Sequence, residues 1–222
     1  MRTRFEKRSF LGRFIILAVL LSGPAMADGQ TASLPNPVKD MPIEKASGQQ
    51  TAVFAGGCFW GVEAVFRHVK GVISSTSGYA GGAAKTADYE QVSSGATGHA
   101  ESVQVVYDPA QISYGQLLKI FFAVAHNPTE LNRQGPDHGT QYRSAIFSTS
   151  ESQRQVARAY IDQIQVLYKA PIVTQVGPLQ AFYPAEAHHQ NYLALHPTQP
   201  YIVYNDLPKL DHLREQFPAL YR

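Results

Sequence analysis

Apolar positions along this 222-residue chain switch repeatedly between a period of two and a period near 3.6, the spacings of strands and helices. Residues 51–55 form a short apolar run closed by Gly56-Gly57 and predict a strand. Phe59, Val62, Phe66 and Val69 then recur at steps of three and four, one face of a helix, so Cys58 falls at a strand-to-helix junction. Residues 72–77 are β-like, and Val103, Val105 and Tyr107 alternate up to a stop at Asp108-Pro109. Ser113 and Gln116 have capping-box spacing. They open a helix that turns Leu117, Leu118, Phe121, Phe122 and Ala125 inward and ends before Asn127-Pro128. Residues 144–148 predict a strand. Ser150 and Gln153 open another helix, with Val156, Tyr160, Ile164 and Leu167 as its core stripe. A strand over residues 172–176 and a short helix over residues 185–195, stopped by Pro197, follow. A Pro-punctuated coil with one short helix near residues 209–216 ends the chain. Interspersed strands and helices predict an α+β fold: a two- or three-layer sandwich around a mixed central sheet of ferredoxin-like type, with a long C-terminal coil.

The first 50 residues lack this periodicity. Residues 1–27 read as an export signal. Arg2, Arg4, Lys7, Arg8 and Arg13 face a single acid, Glu6; an apolar run over residues 14–21 follows, and Ala25-Met26-Ala27 fits a small-x-small cleavage site. The run is short of the roughly 20 residues of a permanent span. No stable membrane insertion is expected, and a periplasmic or secreted protein is. Residues 28–50, rich in Pro, Ser, Gln and Gly, predict a flexible linker, which leaves one folded domain over residues 51–222. The formal charge of +2 becomes −2 once the signal is removed, because the signal holds five basic residues and one acid. A nucleic-acid partner thereby loses its support. A monomer is expected.

Cys58 is the only cysteine, so no internal disulfide can form, and a leftover thiol in an oxidising compartment stands out. A helix N-terminus favours its thiolate through unpaired N–H groups and the macrodipole. Gly56 and Gly57 allow a tight turn and close approach of a substrate. Of Phe59 and Trp60, one is expected to pack inward, and the pair to line an apolar pocket. His188, His189 and His196 come with no CxxC, no HExxH and no carboxylates at ligand spacing, and the glycines at 81–82 and 95–98 fit no phosphate-binding fingerprint. No metal and no other cofactor is therefore expected. A nucleophilic Cys58 would also serve a cysteine acyl hydrolase with His189 as base, which needs an imidazole within hydrogen-bond reach of the sulfur. A thiol sensor would respond to peroxide instead.

The segment Gly56-Gly57-Cys58-Phe59-Trp60-Gly61-Val62-Glu63 resembles the active-site signature of A-type peptide methionine sulfoxide reductases. Three further blocks agree in order and spacing: Gly78-Tyr79-Ala80-Gly81-Gly82; Thr97-Gly98-His99-Ala100-Glu101 with Tyr107-Asp108-Pro109; and the run from Asn132 to Ser144 that contains Gly135-Pro136-Asp137-His138-Gly139-Thr140-Gln141-Tyr142. The resemblance covers roughly residues 51–197. It implies reduction of methionine S-sulfoxide in oxidised proteins or peptides, with Cys58 as the attacking sulfur and Glu101 as the acid that protonates the oxygen. It further implies Tyr79 and Tyr142 as hydrogen-bond donors to that oxygen, Asp137 as the residue that orients them, and Phe59 and Trp60 as the methyl pocket. Oxygen passes to Cys58 as a sulfenic acid and methionine leaves. To be protonated near neutral pH, Glu101 needs a crowded or apolar site.

Two departures from the family pattern matter. In Ala185-Glu186-Ala187-His188-His189-Gln190, Ala187 stands where the family has Asp, while Glu186 and His189 are kept. The C-terminal cysteines that resolve the oxidised enzyme in many members are missing. Regeneration then requires an external thiol: a thioredoxin-like protein, a glutaredoxin-like protein or a small thiol.

Overall fold

The computed structural model describes residue 1, residues 33–41 and residues 48–222; residues 2–27 of the expected export signal lie outside them. The elements in chain order are β1 (Gln50–Gly56), α1 (Phe59–Arg67), β2 (Val72–Ala80), α2 (Tyr89–Ser93), β3 (Ala100–Tyr107), α3 (Tyr114–Ile120), β4 (Arg133–Gln134), β5 (Asp137–His138), β6 (Ser144–Ser148), α4 (Glu151–Gln165), β7 (Gln175–Pro178), β8 (Phe182–Pro184), α5 (Tyr192–Leu195) and α6 (Leu207–Gln216). Six strands make one sheet in the order β7-β6-β1-β3-β2-β8. Every pair is antiparallel except β6 with β7. Strands β1, β2, β3 and β6 with helices α1 and α3 form a β-α-β-β-α-β unit in ferredoxin-like order, the expected α+β class.

The period-two pattern sorts the two faces of the sheet. Phe54 of β1 stacks on Phe66 of α1 at 5.1 Å and on Phe121, just beyond α3, at 4.9 Å. Val103, Val105 and Tyr107 of β3 join this main core. The opposite side is small: Ala55, Ala100 and Ala145 cluster beside Phe147. Of the two capping-box spacings only the first forms the reciprocal pair; at α4 the Gln153 side chain accepts the Thr149 N–H instead of that of Ser150. Ser113 accepts from the Gln116 backbone while Gln116 returns the bond, and Ser150 caps α4 through the Gln153 N–H.

The structure departs from the sequence reading in four places. Leu167 is 50% exposed instead of in the core stripe, because α4 stops at Gln165. The parallel strand begins at Gln175, later than residue 172. Residues 185–195 hold only a single turn (Ala187–His189) and the short α5. The C-terminal coil is more helical than its prolines suggest, since a wide turn over Ile202–Asp206 runs straight into α6. Pro208 lies in the first turn of α6, directly after this wide turn.

The flexible-linker expectation for residues 28–50 fails for the described part. Leu34 is buried in the main core. Tyr160 of α4 donates to the Pro35 carbonyl at 2.9 Å, Gln163 donates to the Asn36 carbonyl at 2.9 Å, and the Gly115 N–H donates to Asp40 at 2.8 Å. One apolar anchor and a set of side-chain bonds to an extended backbone fix this strap, and neither produces a periodic sequence signal.

Candidate active site

Gly57 sets the geometry at the end of β1. Its φ is +90°, and a Cβ there would lie 2.5 Å from the side chain of Gln134, so both the conformation and the space require glycine. The turn places Cys58 as the N-cap of α1. Its side chain makes no capping hydrogen bond, but the Trp60 backbone N–H still favours the thiolate, the helix-terminus contribution expected from sequence. The thiolate expectation nevertheless fails for the resting site. Cys58 is only 8% exposed. Burial, followed by the charges of Glu101 and Asp206, pushes its thiol well above the ordinary cysteine value.

Glu101 reaches the site through strand periodicity. It shares the inward face of β3 with Val103, Val105 and Tyr107 and is 2% exposed. One carboxyl oxygen accepts the Phe59 N–H at 3.0 Å. The other is thereby left as the oxygen that can carry a proton. Burial is the main reason its pKa is pushed up to about 8, with the charges of Asp137 and Asp206 adding to it. At neutral pH Glu101 is therefore protonated, and in that form it no longer repels a Cys58 thiolate. The pair behaves as two acids that resist being ionised together.

Cys58, Phe59, Trp60, Tyr89, Glu101, Asp137, Tyr142 and Tyr201 line a cavity of about 190 Å³, smaller than the roughly 300–1,000 Å³ of drug-sized ligand sites. Six of these residues are the expected ones. Tyr79 is not among them. It faces the same side of the sheet as its β3 partner Glu101, yet it is fully buried, and its hydroxyl donates to Glu186 at 2.8 Å. Tyr89, at the start of α2, takes the place on the cavity wall. Glu186 holds it there by accepting the Tyr89 N–H at 2.9 Å on its other oxygen. Burial and the nearby Glu101 charge raise the Tyr89 and Tyr142 phenols above the usual tyrosine value, so both are neutral donors.

The sequence blocks that carry the family resemblance are tied to one another. Arg143 donates to the carbonyls of Gly98 at 2.9 Å and His99 at 3.1 Å, which joins the loop before Glu101 to the turn that carries Tyr142. Glu63 is 1% exposed, pairs with Arg67 and accepts the Asn191 N–H at 3.0 Å. Ala187 is exposed, so the carboxylate missing there leaves no buried partner behind. Gln190 secures that loop instead, giving to and taking from the Ser77 backbone at 2.9 Å each way.

Trp60 is held on three sides. It stacks on Tyr192 with centroids 3.7 Å apart, meets Tyr201 edge-on at 5.9 Å, and donates its indole N–H to His189 Nδ1 at 3.2 Å. Asp137 accepts the Tyr201 hydroxyl. Sequence reasoning missed Tyr201, whose only signal is an aromatic between prolines and the C-terminal helix. His189 is kept neutral mainly by burial, and its Nε2 is buried with no partner. Among the described residues no imidazole bonds the sulfur of Cys58, so the geometry that an acyl hydrolase would need is not formed.

Residues 50–220 match the family model described as Peptide methionine sulfoxide reductase. The chain belongs to that family. It is 60% identical over 183 residues to "Peptide methionine sulfoxide reductase MsrA 2" of Mesorhizobium japonicum, covering 82% of this chain and 94% of that one. A second relative, the protein of that name from Synechocystis, is 54% identical, with 83% and 88% covered. Among solved structures, methionine sulfoxide reductase A of Corynebacterium diphtheriae aligns with a TM-score of 0.64 at 34% identity, covering 77% of this chain and 87% of that one. Reduced Mxr1 of Saccharomyces cerevisiae aligns with a TM-score of 0.64 at 33% identity, covering 72% and 91%.

Proposed function

We propose that this protein reduces methionine S-sulfoxide in oxidised proteins or peptides. The carrying observation is that Cys58 and a protonated Glu101 open into one small, aromatic-walled cavity. Attack by the Cys58 sulfur on the sulfoxide sulfur forms an S–S bond while Glu101 protonates the sulfoxide oxygen; the thiol proton then refills Glu101. The hydroxyl then passes from the methionine sulfur to Cys58 as the S–S bond breaks, one electron pair remaining on the methionine sulfur as its lone pair, so R–S(O)–CH3 plus Cys–SH gives R–S–CH3 plus Cys–SOH. Tyr89 and Tyr142 donate to the oxygen as charge develops on it. Phe59 and Trp60 enclose the methyl group.

Resetting follows from the cysteine count. No second thiol exists in the chain, so an external thiol displaces water from the sulfenic acid, and a second thiol frees Cys58 as a disulfide of the carrier forms. If residues 1–27 act as an export signal, that thiol is delivered outside the cytoplasm. A single-turnover reaction with a methionine sulfoxide peptide and no reductant tests the scheme. One methionine released and one trapped sulfenic acid per chain are expected, with the S epimer consumed first. Methionine release without a trappable sulfenate, or preference for the R epimer, refutes it.

Tyr89 and Tyr79 are separable in the same assay. Tyr89→Phe removes a donor on the cavity wall and should slow the reductive step about tenfold, the value of one good hydrogen bond in the transition state. Tyr79→Phe should change that step by less than about threefold and act on stability instead, because it strips a bond from Glu186. A reversed order would return the donor role to Tyr79.

A further inference from the structure

Beneath the first turn of α1 lies an ion pair for which the chemistry above has no use. Asp206, at the end of the wide turn that leads into α6, is fully buried, and its Oδ1 accepts Lys209 Nζ at 3.1 Å. Its Oδ2 is also buried and has no hydrogen-bond partner among the described residues. An unpaired carboxylate oxygen in that setting is destabilising, so its retention calls for a reason. The pair sits directly on Gly61, three residues beyond Cys58. A Cβ at position 61 would lie 2.1 Å from Asp206 Oδ1 and 2.6 Å from Lys209 Nζ. Gly61 is thus the floor on which the pair rests, and the C-terminal segment brings opposite charges, not a thiol, to the base of the Cys58 helix.

We propose that Asp206 and Lys209 are positioning residues that set the charge balance under Cys58 and so determine how readily its sulfur reacts. The inference rests on Cys58 being the nucleophile proposed above. The two members act in opposite directions on the thiol: Asp206 disfavours its ionisation and Lys209 favours it. The other groups facing Cys58 are Glu101 of β3, Asp137 of β5, and the phenols of Tyr89, Tyr142 and Tyr201 around the cavity. Among these charged and titratable neighbours, Lys209 is the one cation acting on the sulfur. Its partner Asp206 offsets the pull of that cation towards the thiolate. This restraint matters in a chain with no second thiol to protect the first.

The test is the pH dependence of Cys58 alkylation by iodoacetamide on the full folded chain, without sulfoxide. This readout is independent of reductase activity, so its failure is distinguishable from failure of the proposed function. Asp206→Asn leaves Lys209 uncompensated. Its alkylation profile should move to lower pH, and the rate at pH 7 should rise about tenfold, the order expected for a nearby partly buried charge. Adding Lys209→Met should bring the rate back to within about threefold of wild type, as a coupled pair requires. A merely structural pair would change the rate without moving the profile, and removing Lys209 would not reverse the change; either result overturns the proposal. Should Asp206→Asn fail to fold, Lys209→Met alone decides. Its profile should shift to higher pH, with alkylation at pH 8 about fivefold slower, and an unshifted profile overturns the proposal.

Discussion

Cys58→Ser is expected to bring sulfoxide reduction to background, a loss of more than about 10³-fold, with the fold left intact. The serine hydroxyl matches the thiol in placement and polarity at a position that is 8% exposed, so packing around α1 should persist. What disappears is the soft, polarisable nucleophile that can attack sulfur and then accept its oxygen. No other thiol in the chain can substitute. The check is steady-state turnover with a dithiol, paired with a thermal melt by circular dichroism. Residual activity of a few per cent in a cleanly folded variant would remove Cys58 from the centre of the mechanism.

Glu101→Gln should slow the reductive step by about 10²–10⁴-fold, the usual value of a positioned acid. The amide oxygen can still accept the Phe59 N–H, as the carboxyl group does, so the variant removes the proton and little else. The pH profile gives the same role a second test. With its pKa pushed up to about 8 mainly by burial, Glu101 holds its proton below that value and loses it above. The rate of methionine release should therefore fall as pH rises through about 8. Glu101→Gln should lack that descending limb, having no proton to lose. A rate within about threefold of wild type, or an unchanged descending limb, would reassign Glu101 to a structural role.

Much of this site is written locally in the chain. The step from a period of two to a period near 3.6 across Gly56-Gly57 places Cys58 at a helix N-cap without reference to tertiary structure. Alternation along β3 puts Glu101 on the buried face with Val103 and Val105. Local pattern fails where reach decides. Tyr79 has the correct face, but Glu186, 107 residues away in sequence, takes its hydroxyl. Tyr89 sits in a five-residue helix capped by Asp88, too short to show a period, in a chain with twelve tyrosines. The state of the thiol is hidden from local pattern for a related reason. A helix N-terminus is visible in sequence, but the burial and carboxylates that oppose it arrive from β3 and from the turn before α6. The strap over residues 34–40 follows the same rule, since the bonds that fix it to the domain run to α3 and α4.

The environment of Trp60 gives the protein a built-in optical reporter. It is the only tryptophan, so the intrinsic emission of the whole chain arises from one ring on the wall of the reaction cavity. That ring is stacked on Tyr192 and bonded to His189, and it shares the cavity with the Cys58 thiol, which in the proposed cycle becomes a sulfenic acid and then a mixed disulfide. In that cycle, substrate entry, oxygen transfer and arrival of the reducing thiol would each alter the polarity or the quenching groups in the cavity that the indole lines. A stopped-flow fluorescence trace on the unlabelled chain can therefore separate the chemical step from the resetting step, with no second tryptophan to dilute the signal.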